Sequence, residues 1–195
     1  FRRVLFRSDA DACPSFRIAT PGGRAGVRLS MSGRHMALNA AAALAVAGAV
    51  GVDIGAAAVA VGSVRSGSMR MHIGRASSGA IVLDDSYNAN PTSMRAALDA
   101  LADLPVRRRL AVLGVMAEIS DARHEHQRIV DYATSLGVEV LAVGTDLYGI
   151  VPVESATTVA DAIADRWGRL GAGDAVLVKG SRVAGLERVA AVLRD

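Results

Sequence analysis

Two carboxylates stand side by side at Asp84 and Asp85, behind the apolar run Ala80-Ile81-Val82-Leu83 and ahead of a polar turn holding Ser86, Asn88 and Asn90. Carboxylates at the end of a strand accept hydrogen bonds in a fork, which suits ribose hydroxyls or a metal ion. A capped turn with solvated aspartates would read the same way. A second group, Lys179, Ser181 and Arg182 in VLVKGSRVAG, also follows an apolar run and precedes a helical stretch. Cations there gather positive potential for an anionic peptide or phosphate, although a solvated basic turn has the same letters. A third group is Glu118, His124 and His126. Two histidines two residues apart face apart on a helix, which argues against a shared metal. His35 and Asn39 are four apart and share one helical face, and Arg70 sits between two methionines.

The elements that would carry these residues follow from hydrophobic spacing. Residues 33–51 (GRHMALNAAAALAVAGAVG) read as an alanine-rich helix stopped by Gly51, and residues 53–64 as a second helix capped by Asp53. Ahead of them, the stretches 16–19 and 27–31 alternate between Pro/Gly turns as edge strands or hairpins do. From residue 80 onward strands (80–83, 110–113, 138–143, 175–178) alternate with helices (91–104, 123–136, 159–170, 186–193). That order predicts a parallel, doubly wound α/β sheet. The small polar stretch from Gly74 to Gly79 reads as the linker between two domains. VGTDLYG reads as a plain strand-to-helix turn, and no Gly-rich dinucleotide fingerprint follows the first strand.

Composition narrows the class. The core must be built mostly from Ala, Val and Leu, because the chain has only three Phe, three Tyr and one Trp. A lone Cys13 excludes an internal disulfide framework, fits a reducing cytoplasm, and reads as inert. The apolar run 37–52 is too short to span a membrane. A net charge of +3 would suggest nucleic acid, but three of the 22 basic residues, Arg2, Arg3 and Arg7, fall within the first eight; without them 19 remain against 19 acidic ones. That opening, FRRVLFRS, resembles the translation of a sequencing adapter, so residues 1–8 are expected to be an assembly artefact on a truncated gene and are left out of the fold reasoning.

The string DDSYNANPTSM followed by RAAL resembles the signature that opens the C-terminal domain of the Mur ligases, and is most similar to the branch that adds D-alanyl-D-alanine to UDP-N-acetylmuramoyl-tripeptide. The resemblance covers nearly all of the chain after residue 8. It implies the end of a central ATP-binding α/β domain over residues 9–78, then a Rossmann-like, doubly wound, mostly parallel domain over 79–195. It also implies an ATP- and Mg2+-dependent ligase of peptidoglycan synthesis, cytoplasmic and monomeric, working through an acyl phosphate.

Site roles are carried over by position. Asn39, in H-x-x-x-N with His35, would read adenine; Arg70 would contact the terminal phosphate of ATP; Asp85 would hold the ribose, with Asn88 and Asn90 shaping the same turn. Glu118, Asn88, Lys179, Ser181 and Arg182 would meet the peptide substrates. Met36, Val115 and Ile119-Ser120 depart from the family pattern, and either His124 or His126 could match its histidine. The phosphate loop G-x-x-G-K-[ST] is absent, since the only lysine is Lys179, and no residue here is assigned to the metal. This chain is therefore expected to be inactive alone, with the domain linker at Gly74 to Gly79 as the hinge of the whole enzyme. A sister Mur ligase or a folylpolyglutamate-type ligase is the nearest rival, against which the string Tyr87-Asn88-Ala89-Asn90 argues. A non-catalytic Rossmann-like binding module is the rival from another class.

Overall fold

The structure is a computed structural model that describes residues 6–9, 13–65, 67 and 69–194. It divides into two compact units, Phe1–Gly67 and Ser68–Asp195.

In the first unit, β1 (Phe6–Ser8), β2 (Pro14–Thr20) and β3 (Gly23–Arg28) form an antiparallel sheet in chain order. Pro21-Gly22 closes the second hairpin, with Thr20 paired to Gly23. Strand β2 alternates buried Phe16 and Ile18 with exposed Arg17 and Ala19. One face of the sheet is thus apolar, as a half-buried antiparallel sheet requires. Helices α1 (Arg34–Ala49) and α2 (Ile54–Ser63) pack on that face. The stripe Ala37, Ala40, Ala41 and Leu44 supplies the buried side of α1. As expected, Asp53 caps α2, its carboxylate accepting from the Ala56 amide at 2.8 Å. Gly62 allows α2 to touch β3, since a Cβ there would lie 2.7 Å from the Arg28 carbonyl. Residues 6–8, excluded from the fold reasoning, pair with β2, whereas residues 1–5 lie outside the described residues.

The second unit is a five-stranded sheet of order β4-β5-β8-β6-β7, made by His72–Arg75, Ile81–Asp85, Asp174–Lys179, Arg108–Leu113 and Glu139–Ala142 respectively. It is parallel apart from β4, which runs antiparallel to β5 at one edge. The strands are near-continuous apolar runs because helices cover both faces. On one side α3 (Pro91–Ala102) and α4 (Ala122–Ser135) pack together against β8, β6 and β7. On the other, α5 (Val159–Trp167) and α6 (Glu187–Val192) enclose Val82, Val176, Val178, Leu110 and Val112. No helix among the described residues is long and apolar enough to cross a membrane.

One expectation needs correction here. The stretch Gly74 to Gly79 is no interdomain linker but the end of β4 and the turn of the β4–β5 hairpin: Ala76 donates to the Ala80 carbonyl and Gly79 to that of Ala76, each at 2.9 Å. Small polar residues serve a tight turn and a linker equally well, and strand pairing decides between them. The compact units part earlier, between Gly67 and Ser68, so Arg70 belongs to the second.

Charged residues close both ends of β8, which is buried along its whole length. At its start Asp174 receives two hydrogen bonds from Arg108, at 2.8 and 2.7 Å, and the guanidinium holds its carboxyl below the ordinary range. At its end stands Lys179.

Candidate functional site

Alternation along β5 sends its two carboxylates to opposite faces. Asp84 shares the side of Val82 and meets the C-terminal segment: its Oδ2 accepts from Arg194 Nη2 at 2.6 Å, and its Oδ1 from the Ser86 hydroxyl at 2.6 Å. Asp85 lies on the other side. Strand register sets it opposite Lys179, which in turn lies opposite Leu113 of β6. Lys179 is 1% exposed. Its ammonium donates to Asp85 Oδ2 at 2.6 Å and to the Asn88 carbonyl at 2.8 Å. The remaining oxygen of Asp85, Oδ1, accepts from the Met71 amide at 3.0 Å.

Lys179 therefore spends its donors on fixing the turn. A lysine charge this deeply buried persists only when paired, and Asp85 is that pair. Asp85 keeps spare acceptor capacity, since a carboxylate offers about four lone-pair sites. Ser181 is buried as well: it accepts from the Ala117 amide at 2.9 Å and donates to the Ala89 carbonyl at 3.3 Å. It ties together the loops after β5, β6 and β8. Those loops approach closely through two glycines. A Cβ on Gly180 would lie 3.1 Å from Gly114 Cα, and one on Gly114 would lie 2.7 Å from Ala184 Cβ.

The turn after β5 ends in a helix cap. Asn90 Oδ1 accepts from the Ser93 amide at 2.9 Å while Ser93 Oγ accepts from the Asn90 amide at 3.1 Å, and Pro91 fills the first helical position. The side-chain oxygen of Asn90 thus serves α3, while Asn88 stands exposed with its carboxamide oxygen on the Ala89 amide.

After β6 the two histidines have different surroundings. His126 is fully buried and accepts from the Met116 amide through Nε2 at 2.9 Å, which leaves Nδ1 to donate to the Ala122 carbonyl. Burial lowers its pKa below 6.5, partly opposed by that carbonyl. Its ring meets Tyr148 edge to face, with centroids 4.7 Å apart, and the Tyr148 hydroxyl donates to the Gly114 carbonyl at 2.8 Å. His126 is thus a fastener for the loop, whereas His124 and Glu118 are exposed.

Above this buried framework lies a rim that sequence reasoning found only in pieces. Arg70 and Arg182 are both exposed, and among the described residues neither has a carboxylate within ion-pair distance. Both guanidinium carbons approach the ring of Tyr87, at 3.9 Å for Arg70 and 5.8 Å for Arg182. Arg182 also reaches the Met69 sulfur at 3.6 Å. Met69 and Met71, on either side of Arg70, have positive φ of 64° and 49°. Such conformations cost non-glycine residues energy and persist where neighbours enforce them. Here the Tyr87 amide donates to the Met69 carbonyl and Asp85 holds the Met71 amide. Tyr87 carried no role in the sequence beyond its place in the motif, because only the fold brings residues 70, 87 and 182 together.

His35 and Asn39 stand in the first unit, early in α1. Asn39 is exposed with its amide 3.8 Å from the Met36 sulfur, and His35 is half-buried on the same side of the helix. Among the described residues no group of three or more His, Cys, Asp or Glu could hold a metal ion.

With this geometry in place, comparison with known proteins gives a consistent answer. Residues 69–182 match the family described as Mur ligase, glutamate ligase domain. The chain is 38% identical to a UDP-N-acetylmuramoyl-tripeptide–D-alanyl-D-alanine ligase of Mycobacterium tuberculosis, over 95% of this chain and 42% of that protein. To the enzyme of the same name from Escherichia coli it is 34% identical, over 92% of this chain and 41% of that one. A crystal structure of MurF from Acinetobacter baumannii superposes with a TM-score of 0.83 at 26% identity, covering 99% of this chain and 44% of the other. The chain thus spans about four tenths of the length of these relatives. The family match covers more than half of the chain and relatives of 34–38% identity cover over nine tenths of it, so the chain belongs to the Mur ligases.

Proposed function

We propose that this chain forms part of an ATP-dependent ligase that joins D-alanyl-D-alanine to UDP-N-acetylmuramoyl-tripeptide, a step of peptidoglycan synthesis in the cytoplasm. The observation that carries the reading is the pair of exposed arginines, Arg70 and Arg182, set on the DDSYNANP turn without carboxylate partners among the described residues. Relatives bearing that ligase name match over 95% and 92% of the chain.

The chemistry needs such cations. Amide formation from a free carboxylate is uphill in water, so the peptide carboxylate is first activated. One of its oxygens attacks the terminal phosphorus of ATP, ADP leaves, and an acyl phosphate forms. The amine of the dipeptide then attacks the carbonyl carbon; a tetrahedral intermediate collapses, expelling inorganic phosphate, and a proton is lost from nitrogen. Negative charge accumulates on phosphoryl oxygens in the first step and on the leaving phosphate in the second. Arg70 would stabilise that charge as a planar, permanently ionised donor. Arg182 and Glu118 would face the peptide substrates, and Asp85 would use its spare acceptor capacity on the ribose beside Asn88. Asn39 suits adenine, because one carboxamide can pair with both a donor and an acceptor on the base edge. Lys179, Ser181 and Asn90 support these groups from below. Magnesium, when bound, would offset phosphate charge.

The test uses the product of the complete reading frame that contains this chain. Phosphate release is measured with ATP, magnesium, UDP-linked tripeptide and D-alanyl-D-alanine, omitting each in turn. Release that requires all four is the expected result. Release with a different amino acid in place of the dipeptide would move the protein to a sister ligase. No release under any combination would leave a binding module and remove the roles above.

A further inference from the structure

Tyr87 is an exposed aromatic residue at the site for which the ligase chemistry provides no task. The residue is 41% exposed, and its hydroxyl makes no hydrogen bond among the described residues. What it does touch is cationic: Arg70 at 3.9 Å and Arg182 at 5.8 Å from the ring centroid. These arginines come from the segment before β4 and the turn after β8, far apart in the chain. Two guanidiniums without carboxylates repel each other, and each long side chain has many rotamers to lose on binding an anion. The negative face of an aromatic ring opposes both costs, because it attracts each cation and gives each a surface to rest on.

We propose that Tyr87 is a positioning residue. Its ring draws Arg70 and Arg182 into one clamp for a phosphate-bearing anion, so that neither arginine must be ordered separately when the anion arrives. The identity of that anion as nucleotide or acyl phosphate rests on the ligase reading; the clamp itself does not. The backbone supports the arrangement from beneath. The Tyr87 amide donates to the Met69 carbonyl at 3.0 Å, and the Met69 sulfur lies 3.6 Å from Arg182 Nη1. Ring, sulfur and both guanidiniums thus form one connected unit above the Asp85–Lys179 pair.

The contacts require the ring and make no use of the hydroxyl, and this separates positioning from hydrogen bonding. In the protein from the complete reading frame, Tyr87→Phe should keep kcat and the KM for ATP within about twofold of wild type. Tyr87→Leu should lower kcat/KM for ATP about tenfold, equivalent to about 1.4 kcal/mol. The melting temperature should stay unchanged in both. Arg70→Ala should cost less in the Tyr87→Leu background than alone, since the two changes remove one interaction. Wild-type kinetics in Tyr87→Leu, or equal impairment in Tyr87→Phe, would overturn the proposal. If the wild-type enzyme releases no phosphate, the ligase reading fails and the clamp is read instead by titrating the same proteins with inorganic tripolyphosphate. Weaker binding in Tyr87→Leu with retention in Tyr87→Phe would then support it, and equal affinity in all three proteins would overturn it.

Discussion

A single ion pair, Lys179 with Asp85, does more to shape the site than any residue on its surface. It anchors the Met71 amide on one side and the Asn88 carbonyl on the other, and so fixes both ends of the rim that carries Arg70 and Tyr87. Removing one partner would strand a charge that water barely reaches. Lys179→Met should therefore destabilise the second unit by about 2–4 kcal/mol in urea unfolding, whereas pairing it with Asp85→Asn should recover part of the loss. Equal stability of the single and double variants would show that the pair contributes nothing. His126 gives a second check at this scale. Because burial lowers its folded pKa, the unfolded chain takes up the proton first as the solution is acidified. Its contribution to stability is complete above the unfolded value near 6.5, is lost as the pH falls below that value, and levels off once the folded pKa is passed. Unfolding free energies measured from pH 8 to pH 5 should show this slope in wild type and not in His126→Gln. The sequence marked Lys179, Ser181 and Arg182 as a group but could not rank them. Whether a residue at a strand end faces water or a neighbouring strand is set by register, and here the partner strands are 94 residues apart in the chain. Only Arg182, three residues beyond the end of β8, faces outward as its letters suggest.

At the scale of elements, periodicity was a dependable guide wherever a segment buries a long apolar face. The alternating strands and helices after residue 80 stand within a few residues of where their spacing places them, because each strand is covered on both sides and each helix on one. The exception is β4. Its four residues, His72 to Arg75, carry too little apolar pattern to distinguish an edge strand from a tail, and the turn behind it is made of residues that suit a linker equally well. Pairing with β5 decides the matter, and pairing is a tertiary property. The glycines of the β6 and β8 loops also acquire their meaning only in three dimensions. A methyl group on Gly114 would meet Ala184 Cβ at 2.7 Å and Leu186 Cδ1 at 3.0 Å, and the short alanine side chain cannot move aside without its backbone. Gly114→Ala should therefore cost about 1–3 kcal/mol in chemical denaturation and loosen the site loops. A variant as stable as wild type, with unchanged exchange of the Ala117 and Ser181 amides, would contradict this close approach.

At the scale of the whole molecule, the division between Gly67 and Ser68 assigns the groups expected at a nucleotide to two compact units: Asn39 and His35 to the first, Asp85, Arg70 and the rim to the second. This assignment was only half legible. The family motif marks the second unit clearly, but Arg70 precedes the motif, and the letters of the hairpin turn read as a boundary behind it. The arginine rim is proposed to serve a reaction in which a peptide carboxylate becomes an acyl phosphate. Isotope transfer tests that most directly. UDP-linked tripeptide bearing 18O in its terminal carboxylate is turned over with ATP and D-alanyl-D-alanine by the product of the complete reading frame, and the released phosphate is analysed by mass. Attack of the carboxylate on phosphorus leaves one of its oxygens in the departing phosphate. One 18O in each phosphate released is the result predicted; unlabelled phosphate, formed at the same rate as the amide product, would contradict the account.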